Sequence, residues 1–205
     1  MKANSQRLRK KIAREAANLL YSGTEKEYKQ AKSKAAQTLQ SKFLPTNFEI
    51  ALELDKLAEE NEGQARHKRL ITMRKEALKL MQILRAYKTL LTGSVWRGTI
   101  HHRSDIDITV YHDEPNEVLY ILKQNNVKIA RTELAIVTKR GKQKGAFHIY
   151  AELPAEEKAD IKIVPNSESC EKEKCEIYGD KITGISRQKL KKVLKENPTQ
   201  QFLPS

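Results

Sequence analysis

Two aspartates stand one residue apart in the stretch Asp105-Ile106-Asp107-Ile108-Thr109-Val110. Polar and apolar residues alternate there, as in a half-buried strand whose successive side chains point to opposite faces. Ile106, Ile108 and Val110 then fix one face against a core. Asp105 and Asp107 share the other face, about 6–7 Å apart along the backbone. Two carboxylates held side by side repel unless a cation joins them, and an all-oxygen pair suits Mg²⁺ or Mn²⁺. Gly93-Ser94 lies twelve residues before Asp105, at the end of a short apolar run. A glycine lets backbone approach a phosphate closely, and backbone N–H groups with the Ser94 hydroxyl can donate to its oxygens. Arg97 offers a fixed cation nearby. A phosphate-binding turn and a metal-binding strand are thus joined by one loop.

A two-metal site, with ions about 3.5–4 Å apart, needs a further carboxylate. Asp160, in Ala159-Asp160-Ile161-Lys162-Ile163-Val164, is the first candidate, because it opens a strand whose Ile161 and Ile163 form the buried face. Glu152 is the alternative.

These residues need elements to hold them. Residues 1–91 read as helices. Leu8, Ile12, Ala16, Leu19 and Leu20 recur at helical spacing up to Ser22-Gly23. Thr24 with Glu27 resembles a capping box opening a second helix to about Gln40. Pro45 and Asn47 lead into a third, ending near Gly63. Leu70, Met73, Ala77, Leu80, Leu84, Tyr87 and Leu91 then step by threes and fours, one long stripe that must lie on a sheet or on partner helices. From Leu90 the texture changes to short strands (Leu90–Thr92, Asp105–Tyr111, Val127–Thr138, Ala146–Leu153 and Ala159–Val164). A short helix fits Val95–Ile100 and a longer one Glu117–Gln124. The basic stretch 139–145 reads as a hairpin turn, Ile177–Ile182 as a tight turn, and Ser186 as the cap of a basic helix to about Glu196. The expected fold is α+β: a mixed β-sheet core with a helical N-terminal region and a C-terminal helix. The expected organisation is a basic helical region over 1–63 and a second domain over 64–205. That domain would hold a packing helix at 64–88, a catalytic sheet at 89–165 and a C-terminal turn and helix at 175–197.

Other polar residues fit plainer roles. Ser104 suits a hydrogen bond to its own loop. Trp96 suits core packing, with stacking on a base as the alternative. His101 and His102 point apart, lack a third ligand at zinc spacing and suit solvent. Cys170 and Cys175 have no two further zinc ligands nearby and suit free thiols or one local disulfide.

The chain has 205 residues, 39% hydrophobic and 32% charged. That supports one domain, or one domain with a helical annex, and argues against disorder. No apolar run approaches the roughly 20 residues of a membrane span. Two cysteines exclude a disulfide scaffold and, with a basic opening that lacks an apolar signal core, suggest a cytoplasmic protein. The net charge is +13, and the first 44 residues carry 11 Lys and Arg against 3 Asp and Glu. A basic N-terminal region suggests a polyanion partner, with RNA or nucleotide foremost.

Residues 90–110, LLTGSVWRGTIHHRSDIDITV, resemble the signature of the polymerase-β-like nucleotidyltransferase superfamily. Arg97-Gly98 and Ser104-Asp105 also match its minimal form, in which GSxxRG is followed by SDID. Thr92 departs from the usual apolar residue before the glycine. Ala159-Asp160-Ile161 fits the strand that supplies this superfamily's third carboxylate. The resemblance implies that Asp105 and Asp107 hold two Mg²⁺ or Mn²⁺ ions on the triphosphate of an NTP. Asp160 would ligate the second ion and help deprotonate an acceptor hydroxyl. Gly93 and Ser94 would grip the β- and γ-phosphates, with Arg97 and Ser104 completing the nucleotide site. The hydroxyl would attack the α-phosphorus and release pyrophosphate. The acceptor is read as RNA, with a protein or a small molecule as alternatives, and a non-catalytic nucleotide- or RNA-binding protein as the competing class.

Overall fold

The computed structural model describes residues 2–139, 142–170 and 173–204, with side chains throughout except at 2–5, 137–139 and 142–144. Six α-helices and five strands follow one another as α1 Lys2–Ser22, α2 Tyr28–Thr38, α3 Asn47–Ile83, β1 Lys88–Thr92, α4 Gly93–Arg97, β2 Ile106–Tyr111, α5 Pro115–Gln124, β3 Lys128–Lys139, β4 Lys142–Glu152, β5 Lys158–Val164 and α6 Arg187–Glu196.

The strands form one open sheet in the order β1-β2-β5-β4-β3. β2 and β5 run parallel, and every other pair is antiparallel. The expected mixed sheet with helices at both ends is therefore present. Ile106, Ile108 and Val110 are fully buried on one face with Ile149, Ile161 and Ile163, beneath the second half of α3, α5 and α6. Each such side chain contributes about 1.5–3 kcal/mol by leaving water. A one-residue slip of β2 would expose all three, so its register is firmly set and Asp107 must stay on the opposite face.

A second core joins α1, α2 and the start of α3 through Ile12, Ala16, Leu20, Ala31, Ala35, Ile50 and Leu54. α2 has few large apolar residues because it packs through alanines, which let its backbone approach its neighbours closely.

Two local expectations change, and a third is met. No capping box forms at Thr24: its hydroxyl pairs with Ser22 Oγ at 2.9 Å, and Glu27 precedes α2 without a side-chain cap. Gly23 N and Glu25 N instead donate to the last carbonyls of α1, so Thr24 belongs to the end of that helix. The capping box lies at α3, where Thr46 accepts from Glu49 N and Glu49 accepts from Thr46 N. The break expected near Gly63 is present: α3 is two helical runs that meet at a kink there, where Gly63 has a non-helical, positive φ of 47°. Finally, the long stripe leaves the helix at Ile83. Leu91 is buried from strand β1, and its place in the three-four pattern coincides with the alternation of that strand. The centre of the 139–145 turn, residues 140–141, lies outside the described residues.

Candidate active site

The sheet gathers residues far apart in sequence. One cross-strand row runs Thr92, Asp107, Asp160, Tyr150, Arg131 through β1, β2, β5, β4 and β3. In-register neighbours share a face, so Asp107 and Asp160 flank one another on the side away from the main core. Asp105, two residues before Asp107, stands where the chain enters β2.

Crowded acids resist ionisation. Asp107 is pushed up to about 7, chiefly by burial and further by the charges of Asp105 and Asp160. Asp105 is also raised, by desolvation of its carboxylate and then by Asp160, against the lowering effect of its own backbone N–H. Neither Asp105 nor Asp107 has a salt-bridge partner among the described residues. The Asp160 carboxylate accepts from His148 Nδ1 at 2.9 and 3.0 Å when that nitrogen carries the proton. Among the described residues no three acidic, His or Cys side chains are gathered closely enough to close a metal shell as they stand. The donor set still fits a hard divalent cation: three carboxylates, oxygen only, whose mutual repulsion such an ion would relieve.

Gly93 carries the close approach. Its φ is +66°, and a Cβ there would lie 1.8 Å from Asp107 Oδ2 and 2.7 Å from Asp107 Cγ. The phosphate-turn candidate and the carboxylate are thus packed in direct contact, which only glycine allows. Ser94 follows it on the wall of a cavity of about 480 Å³ that also holds Asp105, Asp107 and Ser104. Asp160 is not on that wall; it lies one strand further along the sheet.

Arg97 occupies a structural position. It is buried, its Nη2 meets Asp180 Oδ1 at 2.7 Å, and its Nη1 donates to the Phe202 carbonyl at 3.2 Å. Its guanidinium lies 4.5 Å from the Trp96 ring centroid and 4.2 Å from that of Tyr178. It borders the cavity, but both of its terminal nitrogens are engaged by the chain itself. The Ser104 hydroxyl accepts from His101 N at 3.0 Å and so shapes the loop. Two cations not singled out from the sequence, Arg103 and Lys162, line the same cavity. Alternation placed Lys162 beside Asp160, which was the available signal. Arg103 packs against the α1–α2 turn: its Nη1 lies 2.1 Å from where a Gly23 Cβ would be. Tyr28, Leu54 and Asp55 close the cavity from α2 and α3, so the helical region forms part of the site's wall.

Three arginines of α3 brace the loop that carries the signature. Arg74 is fully buried without a carboxylate and donates to the carbonyls of Val95, Trp96, Pro198 and Gln200. Burial lowers it to about 10, so it stays charged at neutral pH. Arg66 donates to the Ile100 carbonyl and pairs with Asp55 and Glu59. Arg69 grips Glu157 with two nitrogens, at 2.8 and 2.7 Å, and also donates to the carbonyls of His101 and Ser104. It therefore ties the approach to β2, with Asp105, to the approach to β5, with Asp160. The signal in the sequence was Arg66 and Arg74 falling in line with the apolar stripe of Leu70 and Ala77.

Among the remaining candidates, Trp96 is buried in the core. His101 is half-buried rather than solvent-facing; desolvation, then the neighbouring His102, lowers it to about 4, so it is neutral at pH 7. Cys170 and Cys175 are free thiols. Glu152 pairs with Lys128 at 2.5 Å and lines a separate cavity of about 540 Å³ that contains none of the three aspartates.

A mixed sheet with Gly-Ser at the end of one strand and acids on the next two defines a nucleotidyl-transferring class of domain. The sequence profile of the nucleotidyltransferase domain family matches residues 70–196, and the chain belongs to that family. No curated protein matches the chain. Solved structures similar to it include the RNA terminal uridylyl transferase Cid1, at 16% identity and a TM-score of 0.34 over 55% of this chain and 36% of that one. Another is the GLD-2/RNP-8 complex, at 12% and 0.36 over 60% and 39%. A third is a cytoplasmic RNA terminal U-transferase, at 17% and 0.32 over 57% and 34%. The chain spans less than two fifths of the length of each of these chains.

Proposed function

We propose that the protein transfers a nucleoside monophosphate from an NTP to the hydroxyl of an RNA acceptor, using Asp105, Asp107 and Asp160 with Mg²⁺ or Mn²⁺. The observation that carries this reading is the row of Asp107 and Asp160 in register on adjacent strands, with Gly93 packed against the Asp107 carboxylate.

Divalent ions, held by the three aspartates, would supply charge neutralisation on the triphosphate and a lowered pKa for the acceptor hydroxyl. The Ser94 hydroxyl and the backbone amides of the Gly93-Ser94 turn donate to the β- and γ-phosphate oxygens. Arg103 and Lys162 add positive charge to the same cavity, and Arg97 orders its wall through Asp180. Asp160 accepts the proton of the hydroxyl. The hydroxyl oxygen bonds to the α-phosphorus as the bond from that phosphorus to the bridging oxygen breaks, and pyrophosphate leaves. Tyr28, Tyr178 and Leu54 give the base and ribose an enclosed, partly apolar wall.

The basic charge of the N-terminal helices supports RNA as the acceptor. Arg7, Lys10, Lys11, Lys26 and Lys29 have no ion pair among the described residues, whereas Arg9, Arg14 and Lys34 do. No helix among the described residues is long and apolar enough to cross a membrane. Two free thiols suit a reducing, cytoplasmic setting.

The test mixes the protein, Mg²⁺, each α-labelled NTP in turn and total RNA. Label in RNA is expected, together with one pyrophosphate per label. Label in protein bands alone would refute the RNA acceptor. Full transfer by Asp107→Ala would refute the site.

A further inference from the structure

The row that carries Asp107 and Asp160 does not stop at the carboxylates. It continues across β4 and β3 through Tyr150, directly opposite Asp160, and Arg131, directly opposite Tyr150. Arg131 Cζ lies 3.7 Å from the Tyr150 ring centroid, and Glu133 holds the guanidinium in place at 2.6 Å. His148, two residues before Tyr150 on the same face, lies nearly parallel to it, with centroids 6.0 Å apart and planes 17° apart. The same His148 bonds the Asp160 carboxylate. Arg131 is exposed, and Tyr150 and His148 are half-buried.

We propose that this face, formed by Tyr150, Arg131 and His148, is the platform on which the last nucleotides of a single-stranded RNA acceptor stack, with the terminal hydroxyl delivered to Asp160. The proposal rests on the reading of the chain as a transferase to an RNA hydroxyl and adds the surface that presents that hydroxyl. Unpaired bases are recognised by stacking on aromatic rings and on guanidinium planes, and this stacking tolerates any base. Two flat rings and a guanidinium plane offer such surfaces. A folded protein acceptor would call for a groove with apolar pockets, and none of the described cavities includes Tyr150, Arg131 or His148. The NTP cavity lies at the other end of the row, where Thr92 and Asp107 line it with Gly93, Ser94, Tyr28 and Tyr178, and it contains none of the platform residues. Donor and acceptor then reach the aspartates from opposite ends of the row, an arrangement compatible with in-line transfer.

The test uses the full chain and a 5′-fluorescent single-stranded RNA decamer, read by anisotropy, beside titration with a non-hydrolysable NTP analogue. Tyr150→Ala should weaken RNA binding by about 5- to 150-fold, the range for loss of one stacked base. Tyr150→Phe, which keeps the ring, should bind like the natural protein. The analogue should bind equally to all three, and the KM for acceptor should rise while that for NTP stays constant. If Tyr150→Ala melts early, Arg131→Ala, an exposed change, replaces it and should weaken RNA binding in the same sense. RNA binding unchanged by these alanine variants would overturn the platform while leaving the RNA acceptor standing. Loss of analogue binding instead would assign the surface to the nucleotide and also overturn it. Failure of the natural protein to bind RNA at all would remove the RNA reading itself, and the platform with it.

Discussion

Asp107→Asn should make the protein more stable and far less active at once. The carboxylate ordinarily titrates at 3.8 and here at about 7, because burial and the charges of Asp105 and Asp160 oppose its ionisation. A tenfold difference in proton affinity corresponds to about 1.4 kcal/mol. The folded state thus holds its proton more tightly than the unfolded chain. Between pH 4 and pH 7 the native state carries the excess proton, and stability falls as pH rises. The full penalty, of order 4 kcal/mol as an upper bound, is reached above pH 7. Asparagine carries no such charge. In EDTA, urea denaturation of the natural protein should show a loss of stability from pH 5 to pH 8 that Asp107→Asn lacks. The variant should be the more stable of the two at pH 8 by a few kcal/mol. Mg²⁺ should restore the natural protein at pH 8 and stabilise the variant less, because a bound ion stabilises the state that holds it. Transfer activity of the variant should fall by about 10²–10³, the cost of one lost electrostatic partner. Equal stability of the two proteins at pH 8, or a natural protein indifferent to pH over this range, would refute a desolvated and crowded carboxylate.

Gly93→Ala should abolish transfer while the protein still folds. A left-handed φ at a non-glycine residue costs about 1–2 kcal/mol, but the new methyl would overlap the Asp107 carboxylate, so a melting curve and a transfer assay should diverge. Arg69→Met should lower unfolding free energy by about 3–5 kcal/mol, because it leaves Glu157 buried and unpaired, and it should loosen the approaches to both acid-bearing strands; urea titration with an activity assay checks both. Neutralising Lys10, Lys11, Lys26 and Lys29 together should flatten the salt dependence of RNA binding by about 0.7 per contacting charge and leave NTP binding intact.

The faces on which the acids stand were legible in the sequence because they depend on short-range patterns. Alternation in β2 put Asp105 and Asp107 opposite a buried isoleucine face, and alternation in β5 did the same for Asp160. The sheet order that brings Asp160 beside Asp107 is a long-range fact, which the spacing of residues did not encode. Arg97 shows the limit: the motif placed it near phosphate, while Asp180, 83 residues away, claims its guanidinium. The stripe from Leu70 to Leu91 shows another, since period-3.6 and period-2 patterns coincide at Leu91 across a helix end. Arg66 and Arg74 stood in the apolar stripe in plain view, but their acceptors are loop carbonyls from residue 95 to residue 200. The alanine face of α2 carried too little hydrophobicity to announce its packing, which depends on close approach to α1 rather than on large side chains.

Electron paramagnetic resonance of Mn²⁺ with the non-hydrolysable NTP analogue tests the central claim most directly. The natural protein should bind Mn²⁺ in the presence of the analogue. Asp105→Asn, Asp107→Asn and Asp160→Asn should each weaken that binding at least about tenfold, consistent with the loss of one hydrogen-bonded charge partner. Undiminished Mn²⁺ binding in all three variants would place the ion elsewhere and contradict the account.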